Sequence, residues 1–385
     1  MVKRPMNVTK FAIPEIIFGR GSMVHVGQCA RRLGARRVFL VSDEGLEKSG
    51  WVERVQTILE AESLEWVYYG DVNSNPRDWQ VSHGAKLYLE TGADVILAIG
   101  GGSPIDAAKG IAILAGNGGS IADYEGANRI ERPLPPTIFL PTTAGSGSDI
   151  SQFCIITDVE RQLKMSIISR SLVPNISIID PLILLTKSQE LIIASAIDAL
   201  AHAVESYVSR IASPFTEIQA LRAIELIMRN LRHAVEDRDL DALEQLSIAS
   251  TAAGMSFSNA GLGAGHALAH SLGGMFDILH GLVHPILLPA VMRFNTPACQ
   301  EKMGAIGRLV VGRADMPSRL AAEAGIEVLR EYFADLGVPV RLRDILPDRS
   351  PLAQLAGASA GDACNLTNPR QADVESLLGI CEEAW

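Results

Sequence analysis

The first half of the chain alternates short β-branched, apolar runs with helical stretches, and the alternation stops near Leu185–Ser188. Arg37–Ser42, Leu64–Tyr69, Asp94–Ile99 and Pro136–Leu140 read as strands. Helical segments Val24–Leu33, Val52–Ala61 and Trp79–Thr91 lie among them. Strands that are apolar along nearly their whole length are buried on both faces, which predicts a parallel sheet covered by helices on both sides. Beyond Ser188 the sequence turns rich in Ala and Leu with helical period, as in Ser213–Val235 and Leu240–Ser258. The expected organisation is an α/β domain over residues 1–187 followed by an all-helical domain over 188–385. A chain of 385 residues is long enough for two separate cores. The Gly-, Asn- and Pro-rich stretch Asn117–Pro136 reads as a surface excursion.

The strand Asp94–Ile99 runs directly into Gly100-Gly101-Gly102-Ser103-Pro104-Ile105-Asp106. Glycines let backbone approach a pyrophosphate, and Pro104 suits a first helical turn, where its missing N–H costs nothing. The free N–H groups of that turn would face phosphates. This is not the Gly-x-Gly-x-x-Gly fingerprint, and a ligand-free tight turn is the plainer alternative. A second small, hydroxyl-rich turn, Pro141–Asp149, follows the next strand. Two such turns after neighbouring strands converge on one sheet edge, where open α/β sheets bind ligands, and together they indicate a nucleotide site.

The second half concentrates ionisable residues between Asp198 and His284. Asp198 and His202 are four apart in a stretch without Pro or Gly, so a helix stacks both side chains on one face. Gly261-Leu262-Gly263-Ala264-Gly265-His266 and His270 follow, then His280-Gly281-Leu282-Val283-His284. One carboxylate with several imidazoles suits Zn or Fe(II) better than Mg or Ca. Spacing alone leaves His266 and His270 interchangeable as ligands.

Composition narrows the alternatives. A formal charge of −10 and a pI near 5.4 argue against a general nucleic-acid binder. No apolar run is expected to approach a membrane span, and the basic start Met1–Pro5 lacks the apolar core of a signal peptide. The five cysteines are scattered and form no Cys-x-x-Cys pair, so neither a disulfide framework nor a thiolate zinc site is expected, and the expected setting is a reducing cytoplasm.

Gly-Gly-Gly-Ser-Pro-x-Asp at Gly100–Asp106, Pro-Thr-Thr-Ala-Gly at Pro141–Gly145, Asp-Ala-Leu-x-His-Ala-x-Glu at Asp198–Glu205, and Gly-x-Gly-x-x-His-x-x-x-His with the later His-Gly occur in that order. In these motifs, and over essentially its full length, the chain resembles the iron-containing (group III) alcohol dehydrogenases. The resemblance implies a Rossmann-like dinucleotide domain, a helical domain, and an active site in the cleft between them. It implies a metal, iron with zinc as the other option, on Asp198, His202, His266 and His280, with His270 as proton relay. It assigns no ligand role to His284, for which a structural or pocket-lining role is expected. Glu205 is expected to support the site without acting in catalysis, and His25, His83 and His233 to be ordinary surface or core residues.

For the cofactor, the resemblance implies NAD. Asp43 would hold the adenosine ribose and repel a 2′-phosphate; helix capping is its plainer role. Asn75, Gly101, Gly102, Ser103, Asp106, Thr142, Thr143, Ser146 and Lys164 match further cofactor positions. The implied reaction is interconversion of small primary alcohols and aldehydes by a homodimer or larger homo-oligomer. Leu279, Ser271 and Asp149 depart from frequent family residues. Asp123–Gly126, Ile150–Phe153 and Leu366–Arg370 look like a subgroup near regulatory relatives of alcohol dehydrogenases. A polyol dehydrogenase and a non-catalytic sensor on the same fold are the competing readings; a dehydroquinate synthase would need a basic pocket that these motifs do not offer.

Overall fold

The computed structural model describes residues 10–385 apart from Gln162 and Asp277, so the Met1–Pro5 segment weighed above lies outside the described residues. The chain runs through β1 (Glu15–Phe18), α1 (Val26–Arg32), β2 (Arg37–Val41), α2 (Glu44–Lys48), α3 (Trp51–Ala61) and β3 (Glu65–Tyr69). It continues through α4 (Asp78–Thr91), β4 (Val95–Gly100), α5 (Gly102–Asn117), β5 (Gly126–Ala127) and β6 (Thr137–Pro141). Strands β7 (Phe153–Asp158), β8 (Leu163–Ile168) and β9 (Ile176–Ile179) complete this half. Helices follow: α6 (Gln189–Val208), α7 (Pro214–Glu236), α8 (Leu240–Ala260), α9 (Ala264–Phe276), α10 (His284–Val311), α11 (Ser318–Asp335), α12 (Leu352–Ala360) and α13 (Val374–Glu383).

Six strands form a parallel sheet in the order β1-β9-β6-β4-β2-β3. Side-chain alternation splits its apolar residues between two layers. Phe39, Val41, Ile96, Ala98 and Phe139 pack with Val81, Ile105 and Ile111 of α4 and α5. Val38, Leu40, Leu97, Ile138 and Leu140 pack with Val26, Val52, Val55 and Leu59 of α1 and α3. The chain leaves β2 toward β3 but leaves β4 toward β6, so the connections part between β2 and β4. A crevice at the carboxyl ends of such strands is where this architecture takes ligands.

A second, three-stranded sheet, β5-β8-β7, extends the first half. Its β7–β8 hairpin is antiparallel and lies outside the strand pattern expected from sequence. Part of the Asn117–Pro136 stretch contributes β5, paired with β8. Buried Lys109 of α5 donates to the carbonyls of Ser151 and Phe153 at 2.8 and 2.6 Å, fastening the hairpin to the sheet's helical cover.

Ser188 caps α6, its hydroxyl accepting from the Leu191 N–H at 3.2 Å. This helix is, by length and mean hydropathy (1.4), apolar enough to cross a membrane, although no apolar run was expected to approach that length. It carries Asp198, His202 and Glu205, and 89% of that stretch is buried among other elements, as in a core helix. Helices α6, α7, α8, α10 and α11 share one core built on Leu200, Ile224, Leu246, Leu288 and Phe333.

Helices α10 and α11 meet backbone to backbone at Gly307, where an added Cβ would lie 1.8 Å from the Ala321 carbonyl oxygen. Gly307→Ala must therefore push the helices apart. Overpacking of this kind costs about 1–3 kcal/mol or more, which a shifted urea-unfolding midpoint will register.

Candidate active site

A cavity of about 690 Å³ opens between the sheet's carboxyl edge and helices α6, α8 and α9. All ten expected cofactor residues and the five expected metal and relay residues line it. On the sheet side, Gly101 is the N-cap of α5 and supplies no side-chain cap, so the first N–H groups of a 16-residue helix face the cavity without an internal acceptor. The Ser103 hydroxyl accepts from the Asn75 N–H at 3.2 Å, and Asn75 takes a left-handed conformation (φ 57°). These contacts draw the loop after β3 against the glycine turn. Thr142 donates its N–H to the Gly100 carbonyl at 2.9 Å and joins the second turn to the first.

Asp43, at the end of β2, caps α2 by accepting from the Leu46 N–H through Oδ1 at 3.0 Å. The plainer capping role is therefore present in a residue that also lines the cavity. Burial raises the carboxyl of Asp106, near the start of α5, to about 6 against the pull of Lys109. Lys164 reaches the cavity from β8. Gly145, in the second turn, lies against α6: an added Cβ would be 2.5 Å from the Ser195 carbonyl oxygen. The glycine thus brings the turn after β6 within one helical turn of Asp198.

On the helical side, four imidazoles surround one carboxylate oxygen. Asp198 Oδ1 lies 3.9 Å from His202 Nε2, 3.7 Å from His266 Nε2, 3.8 Å from His280 Nε2 and 3.2 Å from His284 Nε2. Among the described residues, the donor atoms of Asp198, His266, His280 and His284 lie within 4.8 Å of one another, a set that does not include His202. His202 is held between the ring of Phe257, at 4.3 Å, and that of His266, at 4.4 Å. Burial lowers His280 and His284 below the usual histidine range and takes His202 to about 3. For Asp198, burial acts toward the neutral acid, but the surrounding imidazoles, His202 first, hold the carboxyl well below its usual range.

The donor set passes a direct test of fit to a cation. Among the described residues, Asp198 Oδ1, His266 Nε2 and His284 Nε2 are buried without a hydrogen-bond partner and face one another, whereas the unpartnered nitrogens of His202 and His280 are Nδ1, with Nε2 the atom each ring turns to Asp198. Unsatisfied polar atoms gathered in this way are unfavourable unless something answers them. A divalent ion with nitrogen and oxygen preference answers lone pairs converging on an ionised carboxylate.

Glu205, one turn after His202 on α6, explains the glycine motif before His266. Its buried carboxylate accepts from the N–H groups of Gly263 (3.1 Å), Gly265 (2.6 Å) and His266 (3.3 Å), and lies 2.5 Å from His266 Nδ1. It caps α9 with negative charge at the positive helix end. Side chains are excluded at 265, where an added Cβ would fall 2.5 Å from Glu205 Oε1, and at 263, where it would fall 2.6 Å from Asn368 Oδ1. The His266 Nδ1–H faces Glu205, which turns Nε2 toward Asp198, the arrangement by which a supporting carboxylate orients a ligand. Burial lowers His266, but Glu205 outweighs it and lifts the ring to about 9. Asn368 supplies the remaining cap, accepting from the Ala264 N–H at 3.1 Å. The Leu366–Arg370 segment is thus tied to this helix end.

His270 stands one turn beyond His266 on α9 with Nδ1 2.9 Å from Asp362 Oδ2. Asp362, absent from the sequence reading, fixes the ring so that its other nitrogen is free for the cavity. It lies 92 residues away with no motif around it. His284 lies outside the cavity lining, contrary to a pocket-lining role. Of the departures, Leu279 lines the cavity and stays 40% exposed, Ser271 pairs with Ser359 at 2.8 Å, and Asp149 is buried against the Ser177 hydroxyl at 2.6 Å.

Comparison with known proteins gives the same picture over the whole chain. The pattern of the family "Iron-containing alcohol dehydrogenase" matches residues 14–181, and that of the "Fe-containing alcohol dehydrogenase family, C-terminal" matches 192–385. The chain is 37% identical to 1,3-propanediol dehydrogenase of Citrobacter freundii over 380 residues, covering 97% of this chain and 98% of the relative. It is 34% identical to the NAD-dependent methanol dehydrogenase of Bacillus methanolicus over 380 residues, covering 98% and 100%. A crystal structure of 1,3-propanediol oxidoreductase superposes with a TM-score of 0.95 at 36% identity, covering 98% of this chain and 100% of that one. With its α/β and helical halves meeting at a carboxylate–imidazole cluster, the chain belongs to the iron-containing alcohol dehydrogenase family and is an alcohol/aldehyde oxidoreductase.

Proposed function

We propose that this protein interconverts small primary alcohols, diols included, and their aldehydes, using NAD(H) and a divalent metal, iron or zinc. The observation that carries the reading is that the glycine turns and the Asp198 cluster face one cavity. When bound, the metal supplies positive charge to a substrate oxygen and the nicotinamide accepts or gives a hydride. Asp198, His202, His266 and His280 would hold the metal, while the turns at Gly101–Ser103 and Thr142–Ser146 would hold the pyrophosphate against α5. Asn75, Asp106 and Lys164 would position the rest of the dinucleotide. His270, oriented by Asp362, would carry the alcohol proton between cavity and solvent from its free nitrogen, a task suited to imidazole. Phe257 and Leu262 supply apolar wall near the reacting end. A homodimer in the cytoplasm fits the family and the scattered, unpaired cysteines.

The test is to purify the protein without air, measure its metal, chelate it, and restore Fe(II) or Zn(II) while following NADH absorbance with a panel of alcohols and aldehydes. Activity that needs no metal would overturn the reading. The cofactor preference is testable at Asp43. Asp43→Ser keeps a helix-capping oxygen but removes the charge. A like-charge contact is worth about 1–4 kcal/mol between water-like and protein-like surroundings, so the NADH-over-NADPH ratio of kcat/KM should fall roughly fivefold or more.

A further inference from the structure

We propose that His284 is an additional protein ligand of the metal, making an Asp-and-four-imidazole donor set with Asp198, His202, His266 and His280. This rests on the reading of that cluster as a metal site, and goes beyond it in the number of donors. His284 is 1% exposed, and its Nε2 has no hydrogen-bond partner among the described residues. That atom lies nearest Asp198 Oδ1 of the four imidazole nitrogens, at 3.2 Å. Two donors about 2.1 Å from one ion and roughly 90–110° apart are about 3.0–3.4 Å from each other. The Asp198–His284 separation falls in that range, while those of His266, His280 and His202, at 3.7, 3.8 and 3.9 Å, lie beyond it. Its ring packs against two other members of the cluster, 4.4 Å from His266 and 5.0 Å from His280 between centroids.

Local structure explains how two histidines four apart reach the same oxygen. His280 begins a short 3-10 turn and His284 is the first residue of α10, so the chain bends around Asp198 between them. Gly281 permits the bend to sit on α6: an added Cβ would be 2.2 Å from the Ala194 carbonyl oxygen. Five protein donors exceed the four usual for zinc. They leave one position on a six-coordinate ion for a substrate oxygen. His284 should therefore bias the site toward ions that accept six ligands.

The experiment compares cobalt(II)-loaded wild type and His284→Asn, prepared without air. In the wild type, the weak visible bands of a five- or six-coordinate ion are expected; in H284N, they should strengthen several-fold toward four-coordinate intensity. Loss of an outer-shell partner alone weakens metal binding about 10–100-fold, so H284N should release cobalt to a chelator at least roughly tenfold faster. Identical spectra and release in the two proteins would overturn the proposal while leaving the metal site standing. A wild type that takes up neither cobalt nor Fe(II) would overturn both readings. Should H284N fail to fold, the count of metal-shifted exchangeable imidazole protons in cobalt-loaded His270→Ala decides. Four resonances support the five-donor set, and three overturn it.

Discussion

His266→Ala is expected to purify with little metal and to lose roughly a thousandfold or more in kcat/KM for NADH-linked alcohol oxidation. Positive charge on the substrate oxygen is worth several kcal/mol of transition-state stabilisation, and each 1.36 kcal/mol is a factor of ten. His266 is central to the cluster: its ring stacks on His202, packs on His284 and contacts His280. The glycine turns proposed to hold the dinucleotide remain untouched by the substitution. NADH binding, read by fluorescence titration, should therefore persist while metal content and turnover collapse. Turnover unaffected by the substitution would remove the metal from the mechanism.

Glu205→Ala is the second large effect, and it is as much structural as chemical. The carboxylate satisfies three backbone N–H groups and the His266 ring in a fully buried position. Breaking such a buried charged network costs about 3–5 kcal/mol, because the N–H groups are left without an acceptor. Urea unfolding should show that loss. The surviving folded protein should bind metal about 10–100-fold more weakly, since His266 loses the group that orients it. Glu205→Gln separates the two contributions: the amide oxygen can still cap α9, but the negative charge facing the His266 ring is gone. A variant as stable and as metal-tight as the wild type would refute the role given to Glu205.

Much of this arrangement was legible in the residues, for reasons that differ by element. β4 is apolar throughout and ends in three glycines, so strand, turn and helix announce themselves together. Asp198 and His202 were readable because helical period stacks positions four apart, and Glu205 continues the same face. The β7–β8 hairpin escaped because β7 alternates in burial and both strands mix Thr, Asp, Lys or Ser with apolar residues, unlike the continuous runs of the main sheet. β1 escaped because it is a four-residue edge strand with no buried position. Asp362 meets His270 only through the packing of α9 against the 3-10 turn at Ala363–Thr367, which no local pattern encodes. The approach of His284 to Asp198 has a related origin: a turn lies between His280 and His284 and sends both rings to that carboxylate, which spacing alone does not encode.

The cap that Glu205 places on α9 also bears on how the protein ages. The His266 tautomer and the start of α9 are set by a carboxylate and backbone amides, without any metal. An ion lost to oxidation or dilution therefore leaves His266 close to where it was. Recovery then requires resupply of the ion, with no refolding step, and old preparations should regain activity on reduction and reloading within the time the ion takes to diffuse in and shed water.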